Sequence, residues 1–321
     1  MVKERIWFID YAKIIGLWMV IFAHLYTSEG VGADNTIRTY FYGFHIPFFF
    51  AVSGMLYKKR KEGLGYALLK NVKTLFVPWM IFNLFFILIG ILKTDNSPLS
   101  LIKNFTICVG RGGDTICGAS WFVICLFIIK CIYDILKYSN TMYLAWLIIA
   151  LTFIPIKLRY FYFASSTIGF AFYYLGNISF KFIKRIDLKK WQYISIAIAC
   201  FIISYYLTKV NGKVSVLGAS THNPILFYAN AIIGSIGIIS LALTFQKKEM
   251  NGIAKISTSS ICVVLTHMAL VMHVRCIKEY LQLNNIETFL FYSIAAVIIY
   301  IICYYLYVII NKYAPWVFGR G

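Results

Sequence analysis

Ten apolar runs, most of them close to 20 residues long, punctuate this chain at 9–28, 40–57, 74–92, 118–136, 142–156, 164–183, 190–208, 224–245, 258–278 and 288–311. A helix needs ~20 apolar residues to cross ~30 Å of hydrocarbon. Backbone N–H and C=O groups find no water at that depth, so each run must satisfy them internally, as a helix does. The expected fold is therefore all-α: a polytopic transmembrane helix bundle of about ten spans, of which 142–156 is the shortest. The composition agrees, with 13% charged residues against about a quarter in soluble domains. No internal repeat or appended soluble domain is legible, and residues 1–321 read as one domain.

The net charge of +19 does not point to nucleic acid, because Lys and Arg sit between the apolar runs as flanks of spans do. About twice as many fall on the side of the N-terminus as on the other, which places both termini in the cytoplasm and the chain in the plasma (inner) membrane as a multi-pass protein. The first run follows Lys3 and Arg5, yet Asp10 and Lys13 interrupt it and no small-residue cleavage site follows. It reads as a retained span rather than a signal peptide. The cysteines have no metal-ligand spacing, and no metal is expected. Cys108 and Cys117 share one inter-span segment that admits a disulfide if it is extracytoplasmic.

Ionisable groups inside spans are costly and mark function by default. Asp10 and Lys13 lie three residues apart on one face of the first helix. His24 follows Lys13 by eleven residues, which returns it to nearly the same face ~16 Å further along the axis. His45 opens the second, antiparallel span in Phe44-His45-Ile46-Pro47-Phe48-Phe49-Phe50, so the two imidazoles should meet. Ser53-Gly54 should let a neighbouring helix approach closely. The run Lys58-Lys59-Arg60-Lys61 reads as a cytoplasmic charge anchor. Lys70 and Lys73, one helical turn apart, read as a pair able to grip an anion such as a phosphorylated cofactor. Later in the chain, Trp121 opens a span and His267 lies inside one behind Ser257, Ser259 and Ser260. His222 and His273 fall near span ends and read as interfacial.

These residues resemble the transmembrane acyltransferase 3 family, which includes polysaccharide and peptidoglycan O-acetyltransferases. Arg5-Ile6-Trp7-Phe8-Ile9-Asp10-Tyr11-Ala12-Lys13 with His24 looks like that family's first helix, including its basic-x10-His motif. Phe44 to Gly54 is similar to its second helix. Ser120-Trp121-Phe122 and the Ser-rich stretch from Ser259 to His267 resemble later elements. The family's Arg-x-x-Arg is replaced by Lys70 and Lys73, which keeps charge but loses bidentate arginine geometry.

The resemblance implies an acyl-CoA-dependent O-acyltransferase, acetyl-CoA being the expected donor and a hydroxyl of a cell-surface or lipid-linked glycan the acceptor. His24 is then the general base, an imidazole being suited to that work near neutral pH, or a covalent acyl carrier. His45 would orient the acceptor or stabilise the oxyanion. Asp10 and Lys13 would hold structure or charge near the donor, Lys70 and Lys73 would bind the cofactor, and Trp121 and His267 the substrate. Any second transfer step would need envelope polysaccharide machinery as a partner. The rival readings are a transporter or flippase of a glycan or small anion, whose path would also need buried His and Lys, and a scaffold without chemistry, which leaves His24 and Lys13 unexplained.

Overall fold

The computed structural model describes residues 5–26, 36–93, 97–113, 115, 117–153, 160–246 and 249–320. Among them there are helices and two isolated β-bridges but no strand. In chain order the helices are α1 (Trp7–Leu25), α2 (Thr36–Tyr42), α3 (His45–Met55), α4 (Leu64–Asn71), a π-turn (Val72–Phe76), α5 (Val77–Lys93), α6 (Pro98–Gly110), α7 (Trp121–Tyr138) and α8 (Leu144–Leu151). They continue as α9 (Phe163–Ile183), α10 (Lys190–Asn211), α11 (Pro224–Leu243), α12 (Asn251–Ser257), α13 (Ser260–Leu281) and α14 (Asn285–Tyr313). Short 3₁₀ turns stand at Tyr160–Tyr162 and Pro315–Phe318.

Each expected run carries a helix, though residues 27–28 and 154–156 lie outside the described set. Six described helices are long and apolar enough to cross a membrane: Trp7–Leu25, Leu64–Leu92, Lys190–Asn211, Pro224–Leu243, Ser260–Leu281 and Asn285–Tyr313. The shortfall from ten has local causes. The run 40–57 breaks at Gly43-Phe44, leaving α3 with 11 residues, ~16 Å of rise. α8 has 8 residues. α7 is long enough but carries Lys130, Asp134 and Lys137, and α9, at 21 residues, is diluted by Ser165, Ser166, Thr167, Asn177 and Lys181. One run also extends differently from expectation. Leu64–Leu92 is one continuous 29-residue helix, so Lys70 and Lys73 sit on a helix rather than ahead of one. Its π-turn ends just before Pro78. Proline cannot donate to the carbonyl four residues back and its ring presses on that carbonyl; a widened turn relieves both.

α1 and α3 form the centre. α3 is buried along nearly its whole length, from His45 to Met55, whereas α10 and α14 turn Ile198, Ile202, Ile294 and Ile298 outward, as lipid-facing helices do. The Ser53-Gly54 expectation holds. A Cβ on Gly54 would stand 1.9 Å from the backbone oxygen of Tyr173, and one on Gly176 2.0 Å from that of Ala51, so α3 and α9 meet backbone to backbone. Neither obstacle is a flexible side chain. Gly54→Ala is therefore expected to cost about 3 kcal/mol or more, read as loss of monodisperse protein in detergent chromatography; a normal elution profile and melting temperature would contradict it.

The segment before α7 departs from expectation. Cys108 and Cys117 are both free thiols, so the disulfide the sequence admitted is not formed. Cys108 is held in the last turns of α6, where its carbonyl accepts Gly113 N–H at 2.8 Å, while Cys117 is packed into the core.

Candidate functional site

Lys13, Leu17, Val20 and His24 recur on α1 at spacings of four, three and four, and so form one stripe. Its lower half, Lys13 and Leu17, lines a cavity of about 270 Å³. Its upper half, Val20 and His24, lines a second of about 210 Å³. Three more helices repeat the order. On α3, Val52 and Ser53 face the first cavity and His45 and Ile46 the second. On α7 the sets are Leu126, Lys130 and Asp134 against Trp121, and on α13 they are Ser260 and Ile261 against Met268. Phe49, Phe122 and Val264 line both cavities. The two chambers are therefore stacked along the bundle axis and meet at those three side chains.

The first chamber is cationic. Among the described residues, Lys13, Lys58, Arg60, Lys70 and Lys130 line it with a single carboxylate, Asp134. Asp134 accepts a hydrogen bond from Asn71 Nδ2 at 2.8 Å, both side chains being buried. The wall of the helix from Leu64 is Ala67, Lys70, Asn71 and Thr74, the i, i+3, i+4, i+7 face. Lys73 lies off that face, exposed and outside the chamber wall, so the expected Lys70–Lys73 pair is split. The basic run after α3 is split too. Lys59 donates to Lys137 O at 3.2 Å at the C-terminal end of α7, where a cation is favoured. Arg60 O accepts from Tyr138 OH at 2.6 Å. These ties hold Lys58 and Arg60 in the chamber wall, which a pure charge anchor would not require.

The second chamber gathers imidazoles. The His24 ring lies 6.5 Å from that of His45 and 5.3 Å from that of His267. His45 Nδ1 is 2.6 Å from Phe41 O, and His267 Nδ1 is 2.8 Å from Val263 O. A carbonyl only accepts, so both Nδ1 atoms carry a proton, and each ring in its neutral form presents Nε2 as an acceptor. His24 Nδ1 lies 3.2 Å from Tyr42 OH, and the Arg38 guanidinium sits 4.7 Å above the Tyr42 ring. Arg38, Tyr42, His45 and Trp121 share the chamber wall with His24. His267 stands behind His24, fully buried, and lines neither chamber; its Nε2 has no hydrogen-bond partner among the described residues.

Asp10 lies elsewhere. Its carboxylate takes Arg5 Nε at 2.6 Å and the Ser257 hydroxyl, while Arg5 Nη2 donates to Ala254 O at 2.7 Å. The cluster fastens the start of α1 to α12, and Asp10 lines neither chamber. Asp10→Ala is expected to lower stability by about 1–3 kcal/mol through the polar groups it leaves unpaired, with acyl transfer per folded molecule retained. A melting curve and an activity assay on the same preparation check this; lost activity at unchanged stability would contradict it.

A family model described as Acyltransferase domain (Acyl_transf_3) matches residues 6–308, which include every residue that lines either chamber. The chain belongs to the acyltransferase 3 family. No curated protein and no solved structure matches it. Membership makes it a membrane acyltransferase, and the residues of this acyltransferase missed by sequence reasoning can be named. Lys130 and Asp134 are ionisable groups four apart inside a run, the signal that singled out Lys13. Arg38 and Tyr42 precede His45 at helical spacing. Ser215, Val216 and Leu217, which close the imidazole chamber from the α10–α11 connection, carry no sequence signal.

Proposed function

We propose that this acyltransferase moves a short acyl group, acetyl in the first instance, from acyl-CoA to a hydroxyl of a cell-surface or lipid-linked glycan. The reading is carried by one observation: a chamber with five cationic side chains abuts a chamber of imidazoles along the bundle axis. Phosphates of CoA suit the first, since charge-assisted hydrogen bonds to Lys and Arg are the strong ones. A hydroxyl acceptor suits the second. The excess of Lys and Arg on one side supports a cationic chamber that faces the cytoplasm, where acyl-CoA is found.

In this reading the donor lies with its phosphates near Lys58, Arg60 and Lys70, and its thioester reaches up to Phe49, Phe122 and Val264. His24, with Nδ1 donating to Tyr42, takes the acceptor's proton at Nε2. The hydroxyl oxygen attacks the thioester carbonyl, the C–O bond forms, the C–S bond breaks, and the imidazolium returns its proton to the CoA thiolate. His45 Nε2, an acceptor, orients the incoming hydroxyl; a neutral His45 in this tautomer has no proton to give an oxyanion. The Arg38 guanidinium in the same wall supplies positive charge. Lys13 supplies charge on the donor side of the stripe, Trp121 shapes the acceptor side, and His267, outside both chambers, backs the His24 ring.

The test is incubation of membranes containing the protein with acetyl-CoA labelled in the acetyl group. Label recovered on a glycan is the expected result. Movement of a solute across the membrane with no label transferred would favour a transporter instead.

A further inference from the structure

The two chambers meet at a waist, and the waist is built of rings that have nowhere to go. Phe49 packs edge-on against Phe48 at 5.0 Å and Phe122 at 6.1 Å, and Phe122 lies 4.8 Å from Phe50. Gly16 of α1 leaves the space Phe49 occupies, since a Cβ there would stand 2.9 Å from Phe49 Cζ. Gly169 of α9 does the same for Phe50, with a Cβ 2.7 Å from its ring. Val264 completes the waist with a β-branched side chain that is stiff at χ1. All three waist residues are nearly buried.

We infer that Phe49, Phe122 and Val264 set the upper length of the acyl group this enzyme transfers. The inference rests on the acyl-CoA reading above. With CoA phosphates held in the cationic chamber, the acyl group is the leading end of the donor. It must pass the waist and share about 210 Å³ with the acceptor hydroxyl. Every methylene beyond the thioester meets Phe49, Phe122 and Val264, or the apolar Val20, Ile46 and Trp121 beyond them. A methylene too many or too few in an apolar pocket is worth ~10–200-fold in kcat/KM.

The experiment compares acetyl-, propionyl-, butyryl- and hexanoyl-CoA as donors in the same membranes in which label from acetyl-CoA is recovered on a glycan. The wild type is expected to fall off steeply after propionyl. Phe49→Leu combined with Val264→Ala should raise the hexanoyl-to-acetyl ratio of kcat/KM at least ~10-fold; Val264→Ala alone carries the same test, with butyryl in place of hexanoyl, if the double variant is not recovered. Val264→Phe should block transfer of every acyl group while CoA itself still raises the melting temperature. An unchanged ratio in the widened variant, continued transfer by Val264→Phe, or a wild type indifferent to acyl length would overturn the inference and leave the donor reading standing. A wild type that uses no acyl-CoA at all would overturn both.

Discussion

Replacing His24 by alanine is expected to lower acyl transfer by about 10²–10⁴-fold, the range for loss of a general base, and to leave the protein inserted and folded. The side chain sits at the upper end of the α1 stripe, half-buried, in the wall of a chamber rather than in the packed core. Its Nδ1 meets Tyr42 OH, and its ring is backed by His267 on α13. Removing it leaves space in a cavity that is already open, so the fold loses little. The readout is label transferred from acetyl-CoA, normalised to protein that elutes as a single species. Tyr42→Phe should give a smaller loss, because it frees the imidazole without removing it. Wild-type transfer by His24→Ala would end the assignment of His24 as base.

The second large effect separates two lysines that the sequence pairs. Lys70→Ala is expected to raise KM for acyl-CoA roughly 10–100-fold, the loss of one charge-assisted contact of about 1.5–3 kcal/mol. Lys73→Ala should change it less than about 2-fold, as an exposed charge outside the chamber does. Lys130→Met should resemble Lys70→Ala and also disturb the buried Asn71–Asp134 pair, because Asp134 then lacks the cation one helical turn before it on the same face of α7. Steady-state kinetics against acyl-CoA at saturating acceptor distinguish these variants. Equal effects at Lys70 and Lys73 would show that both reach the donor, and would contradict the chamber's geometry.

Why the two lysines differ is also why the sequence could not separate them. Helical periodicity places residues three apart near one another, and for Lys13 and His24 that arithmetic was sufficient: the structure puts both on one stripe, with Leu17 and Val20 between them. For Lys70 and Lys73 it was not, because the face that meets the chamber runs through Ala67, Asn71 and Thr74 and is chosen by packing against α7. The meeting of His24 and His45 was legible from two antiparallel helices joined by a short connection. The addition of His267 was not, since α13 arrives from more than 200 residues away in the chain.

That six rather than ten described helices are long and apolar enough to cross has a related reason. Hydropathy sees apolar residues and not what they touch. α3 and α8 are as apolar as any span, yet 11 and 8 residues are too few to cross alone. α3 is apolar because protein surrounds it, with α9 packed against its glycine at Gly54. Lys130 and Asp134 were readable by the rule that singled out Lys13, because two opposite charges four apart in an apolar helix need an aqueous or polar cavity to face. The closing of the imidazole chamber by Ser215, Val216 and Leu217 had no such signature, since loop residues acquire a role only from where the loop is laid down.

The most direct measurement is a structure of the protein with a non-hydrolysable thioether analogue of acetyl-CoA, by electron cryomicroscopy. The expected result is density for the phosphates among Lys58, Arg60 and Lys70, and for the acyl end at Phe49, Phe122 and Val264, directly beneath His24. Density for the analogue with its nucleotide in the imidazole chamber, or bound outside both chambers while transfer is still inhibited, would contradict the two-chamber path.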